Sequence, residues 1–140
     1  MKGSYLLLIK LSDNVIINYS VKNKKHFNKG FYVYVGSALN GLENRIERHL
    51  RDNKKTYWHI DYLLNFCEII NAYYRENKFR EECNIAKSLN KKFLPINEFG
   101  SSDCKCKSHL FYGSKEKILE FIETNNFNKY QTKDLNLNVH

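Results

Sequence analysis

The sequence holds one proline, one tryptophan and six glycines among its 140 residues. No stretch reads as a proline- or glycine-rich linker, and no break in composition divides the chain. Its length is that of one ordinary domain. Long apolar runs are also missing. The run at residues 5–9 is too short for a signal-peptide core or a membrane span, and no later stretch is long enough. The chain is therefore expected to be soluble and cytoplasmic, with no membrane partner. Internal repeats and a nucleotide-binding glycine motif are absent too. Acidic residues are few, 15 Asp and Glu against 23 Lys and Arg, for a net charge of +8. That excess favours polyanions through counterion release and steering, with nucleic acid foremost. A basic domain with no specific partner fits the same composition.

What is present is ordinary for a folded domain: 42% hydrophobic and 27% charged residues, with ten Tyr and nine Phe that promise an aromatic core. Residues 4–10 are apolar throughout, as in a central strand. Asp13-Asn14 is a turn signal, and residues 15–20 read as a second strand hairpinned onto the first. Residues 22–30 read as a basic loop, and residues 31–36 as a further strand. From Leu42 the period becomes helical, with Leu42, Ile46 and Leu50 on one stripe. A second helix is expected over 56–66, capped by Thr56, then a strand over 68–75 and a helix over 79–92. A polar loop over 95–108 follows, then a short strand over 109–112 and a helix capped by Ser114. The order predicts an α+β fold, a small mostly antiparallel sheet flanked by helices. The domain is expected over 1–124, with a flexible tail over 125–140.

Several residues could carry chemistry. Arg45 and His49 stand four apart on one helix face beside the apolar stripe; a solvated basic face would look the same. Glu82 shares a face with Ile85, Ala86, Leu89 and Phe93, where a carboxylate must be paired or coordinated. A first-turn acid, a buried salt bridge and a metal ligand all fit. Tyr5 and Tyr34 lie near strand ends beside Gly3 and Gly36, and by themselves they read as packing.

Taken in order, these residues resemble a known signature. Tyr34-Val35-Gly36-Ser37-Ala38 followed by Asn44-Arg45-Ile46-Glu47-Arg48-His49 resembles the second half of the GIY-YIG nuclease motif, and Gly3-Ser4-Tyr5 its first half. Glu82 then opens a later helix, as that pattern requires. Blocks at residues 58–62, 82–83, 100–104 and 108–112 look like a stand-alone subfamily from archaea and some bacteria, with relatives fused to endonuclease III-type repair proteins. The resemblance covers residues 3–112. Ser4 and Val35 depart from the motif, the segment between the two triplets is long, and Arg45 sits one residue further from Gly36 than in many relatives.

The resemblance implies a GIY-YIG-like fold and a metal-dependent endonuclease, a phosphodiester hydrolase acting on structured or single-stranded DNA. Glu82 would hold one Mg²⁺ or Mn²⁺ as a Lewis acid, and Arg45 would contact the phosphate. Tyr5, helped by Tyr34, would position or deprotonate water, provided that nearby cations lower its pKa. His49 would move a proton or touch phosphate, and His59 would support it or pack. Lys24, Lys25, Arg48, Arg51, Lys54 and Lys55 would contact further phosphates. Cys104, Cys106 and His109 with Cys83 match Zn²⁺ by ligand type but not by common spacing; buried thiols, or a Cys83 disulfide to Cys104 or Cys106, are the alternatives. A second function is compatible with the same residues: a non-catalytic nucleic-acid-binding module that keeps the fold.

Overall fold

A computed structural model describes residues 2–18, 24–38, 41–51, 59–77, 79–96, 99 and 108–131. Its centre is strand β1, Gly3–Leu11, which is buried along its length except at Lys10. Alternation along β1 divides its side chains between two faces. Tyr5, Leu7, Ile9 and Leu11 enter one hydrophobic cluster, and Leu6 and Leu8 enter another. Strand β4, Gly30–Ala38, lies antiparallel beside it and splits the same way, Tyr32 and Tyr34 against Val33 and Val35. Burial on both faces explains why the sequence of β1 is continuously apolar rather than alternating.

Helices cover both faces. Helix α1, Leu42–Leu50, and helix α2, His59–Leu64, bring Leu42, Ile46, Ile60 and Leu63 to the Tyr5 side. Helix α3, Glu82–Asn90, and helix α4, Lys115–Thr124, bring Ile85, Leu89, Ile118 and Phe121 to the Leu6 side. Ser114 caps α4 by accepting a hydrogen bond from the Lys117 N–H at 3.2 Å. Gly41 precedes α1 at φ 80°, a left-handed conformation that suits glycine. Strand β5, Glu68–Glu76, pairs with the other edge of β1, and strand β7, Leu110–Gly113, with β4. Two-residue strands finish the edges: β6 at Leu94–Pro95 and β8 at Asn128–Lys129. The order is β6-β7-β4-β1-β5-β8, with every pairing antiparallel.

Strand β2, Val15–Asn18, pairs not with β1 but with β3, Lys24–Phe27, in a separate two-stranded sheet. The basic stretch read as loop thus holds a strand. Its inner residues explain this: Ile17 and Phe27 are buried in the Tyr5-side core, whereas Lys24 and Ile16 face outward. The stretch read as a tail from residue 125 contributes β8, and the Tyr130 N–H donates to the Ala72 carbonyl at 2.8 Å. Residues 132–140 and Thr56 lie outside the described residues. The architecture is α+β with antiparallel sheets and helices; nothing in that arrangement singles out the GIY-YIG-like form the motif implies. No helix among the described residues is long and apolar enough to cross a membrane.

Candidate functional site

The close approach of β1 and β4 begins with a missing side chain. Tyr5 faces Gly36 across the ladder, and a Cβ built on Gly36 would lie 2.2 Å from Cζ of the Tyr5 ring. Glycine lets the ring lie flat over β4. The Tyr5 hydroxyl then reaches Nε2 of His49 on α1 at 2.7 Å. Both residues are 1% exposed. Tyr34 completes the group, its ring centroid 6.5 Å from that of Tyr5 and 6.1 Å from that of His49.

Arg45, one turn before His49, is half-buried and donates from Nη1 to the Ser37 carbonyl at 3.4 Å. Its guanidinium also lies against the Tyr5 phenol and lowers the pKa of that group. Glu82, at the start of α3, is close enough for its charge to raise both phenols. Its carboxylate meets Arg80 Nε at 3.3 Å and His109 Nδ1 at 3.5 Å. The structure therefore brings Tyr5, Tyr34, Arg45, His49 and Glu82 together, with Ser37 and His109 as additional members. The spacing of Arg45 and His49 puts them one turn apart on α1, and each meets the Tyr5 phenol. His109 beside Glu82 had no local signal, because the two are far apart in sequence.

The electrostatics reverse one expectation. Burial holds the Tyr5 phenol well above its usual pKa, the neighbouring Tyr34 adds to this, and Arg45 only partly offsets it. Tyr34 is raised as well, by burial first and then by Glu82. A phenol acting as a base needs the opposite shift. Tyr5 instead keeps its proton and can donate it to Nε2 of His49, which makes the pair a buried support. Among these residues Ser37, Arg45 and Glu82 are partly exposed, whereas Tyr34 is buried at 9% exposure.

The other expected residues are dispersed. Arg48 forms a fork on Asp61, with Nη1 and Nη2 each 3.0 Å from a carboxylate oxygen, and so ties α1 to α2. Arg51 is exposed just past α1. Lys24 is exposed on β3 and Lys25 half-buried. The strand that carries them is linked inward through rings: Phe27 to Phe99 at 6.0 Å, and Phe99 to Tyr34 at 6.4 Å. Lys54, Lys55, Cys104, Cys106 and the His59 side chain lie outside the described residues.

The expected cofactors are corrected. Among the described residues no group of three or more His, Cys, Asp or Glu side chains could hold a metal ion. This bears on Glu82 as a site for Mg²⁺ or Mn²⁺, and on Cys83 and His109 as described members of a zinc set. The expectations of metal binding, and of magnesium in particular, fall with it.

No curated protein matches the chain, and neither does any solved structure. The chain matches the model of a domain of unknown function, DUF123, over residues 4–131. It overturns the resemblance to GIY-YIG nucleases, and with it the assignments as endonuclease, hydrolase and enzyme, for which no nuclease relationship was found. The match spans nearly the whole chain and includes β8, beyond the expected domain end at 124; the chain belongs to the DUF123 family.

Proposed function

We propose that the protein is a non-catalytic nucleic-acid-binding module that takes DNA, in single-stranded or structured form, by its phosphates. The observation that carries this reading is the convergence of protonated phenols and a guanidinium at one place on the sheet. Phenol and guanidinium both donate hydrogen bonds, and phosphate oxygens only accept them. The Tyr5–His49 pair is buried, and Arg45 beside it is partly exposed. The net charge of +8 supports the same partner through steering and counterion release. Lys24 on the β2–β3 sheet and Arg51 past α1 are further exposed cations.

The test is a fluorescence-anisotropy titration of a labelled single strand, a duplex and a branched DNA over a range of salt. The protein is expected to bind with a steep salt dependence and to release the DNA intact. Arg45→Ala should weaken binding roughly tenfold, as for a lost charge-assisted hydrogen bond. It should also flatten the slope of log K against log salt by about 0.7 on a single strand. Joint Lys24→Ala and Lys25→Ala should flatten it further. No binding to any of the three DNAs at low salt would reject the reading.

A further inference from the structure

The β2–β3 ribbon stands apart from the main sheet. Its ladder pairs Ile16 with His26 and Asn18 with Lys24. Residues directly opposite each other share a face, and these four are all exposed. The other face is anchored in the core by Ile17 and Phe27, 2% and 1% exposed. The base of the ribbon is held as well. Asn14 Oδ1 accepts from the Lys29 N–H at 2.7 Å. The Tyr32 hydroxyl donates to the Asn28 carbonyl at 2.6 Å, and the Tyr112 hydroxyl to the Lys29 carbonyl at 2.7 Å. The outer face is thus presented from a fixed position. Its charge has one sign: between Asp13 and Glu43 the sequence holds Lys22, Lys24, Lys25 and Lys29 and no Asp or Glu. Such a segment suits a polyanion.

Shape and chemistry say which polyanion. Each strand occupies about 4.8 Å across a sheet and rises about 3.3 Å per residue. Two strands of four residues therefore make a body about 10 Å wide and about 13 Å long. The major groove of B-form DNA, about 12 Å wide, admits a two-stranded ribbon, whereas the minor groove, about 6 Å wide, does not. The described outer face carries no Phe, Tyr or Trp on which an unpaired base would stack. It offers instead the Asn18 amide and the His26 imidazole, which hydrogen-bond to base edges, the Ile16 side chain, which suits a thymine methyl, and Lys24 for phosphate. From these observations we infer that the outer face of the β2–β3 ribbon docks in the major groove of a DNA duplex, with Asn18 and His26 at base edges and Lys24 at a phosphate. This deepens, and rests on, the nucleic-acid reading above: it names a duplex arm as the part of a structured DNA that this ribbon takes. The deep, narrow major groove of A-form RNA does not admit side chains in this way, so the ribbon selects DNA duplex over RNA duplex.

The experiment uses the full chain and three labelled probes: a mixed-sequence DNA duplex, an RNA duplex of the same sequence, and one of the DNA strands alone. Asn18→Ala joined to His26→Ala should weaken binding of the DNA duplex roughly tenfold, as for two lost hydrogen bonds. It should leave the single strand unchanged. Lys24→Ala should flatten the salt slope on the DNA duplex by about 0.9. All three side chains are exposed, so these variants should fold; circular dichroism and melting curves check this. A second measurement needs no variant. Methyl green, which occupies the major groove, should displace the unmodified protein from the DNA duplex, and netropsin, which occupies the minor groove, should not. If the protein binds neither DNA, the nucleic-acid reading is lost, and the ribbon proposal with it. Four results would leave that reading standing and refute the ribbon's role: binding of the single strand alone, equal binding of the RNA duplex, displacement by netropsin or none by methyl green, or a double variant that changes neither DNA or weakens both equally.

Discussion

Gly36→Ala tests the arrangement of the cluster through a single methyl group. The added Cβ would meet the Tyr5 ring at 2.2 Å from Cζ and 2.3 Å from the hydroxyl oxygen, well inside contact distance. Tyr5 cannot swing away freely, because it is 1% exposed and packed in the core. The ring or strand β4 has to move, and forced overpacking of this kind costs about 1–3 kcal/mol. Displacing the ring also stretches its 2.7 Å hydrogen bond to His49, worth about 1 kcal/mol. Replacing glycine within a strand returns about 0.5–1 kcal/mol. The balance is a loss of about 2 kcal/mol. With an unfolding entropy of about 2.1 cal/mol/K per residue, that lowers Tm by about 7 °C. Urea unfolding followed by circular dichroism gives the free energy, and calorimetry gives Tm. The mechanism is specific to the ring, so Tyr5→Leu should relieve the clash: Gly36→Ala added to Tyr5→Leu should cost nothing further. A Gly36→Ala protein as stable as the original, or one whose loss persists undiminished beside Tyr5→Leu, would refute the account.

Two further outcomes follow from the buried polar groups. Arg48→Ala leaves the Asp61 carboxylate, 1% exposed, without its fork. Urea unfolding should show a loss on the order of 3 kcal/mol, and Arg48→Lys a smaller one, since a point charge cannot replace the fork. The phenols set the alkaline limit. Burial raises the folded-state pKa of Tyr5, Tyr32 and Tyr34, and burial with the Glu47 hydrogen bond takes Tyr130 up to about 12. Above about pH 10, where free phenols ionise, the unfolded chain sheds these protons and the folded one does not, so stability is full below that pH and falls as pH rises past it. Phenolate absorbance for these residues should appear together with loss of the far-ultraviolet dichroism. A smooth titration in a chain that stays folded would contradict the burial argument.

Parts of this molecule are legible in its sequence, for identifiable reasons. The run at residues 4–10 announces a strand covered on both faces, and the Leu42–Ile46 spacing announces α1, because each element repeats one simple period. Lys24–Phe27 escapes the same reasoning. Only Phe27 is buried in that strand, and lysines do not signal β-structure. Arg45 and His49 are legible as a pair, since helix geometry fixes their neighbourhood. The Arg48–Asp61 fork and the Glu82–His109 contact join different elements, and no local pattern reports them. The direction of the tyrosine shifts was not readable either. It depends on whether burial or the guanidinium dominates, and that is decided by depth in the core.

Strand β1 has one more implication. It is a party wall: Tyr5, Leu7 and Ile9 furnish the room on one side, and Leu6 and Leu8 the room on the other. A single codon inserted or deleted within it would trade the contents of both rooms at once, sending leucines toward His49 and the phenol toward α3. Length variation in this chain should therefore collect elsewhere, and β1 should be the stretch whose residue count drifts least.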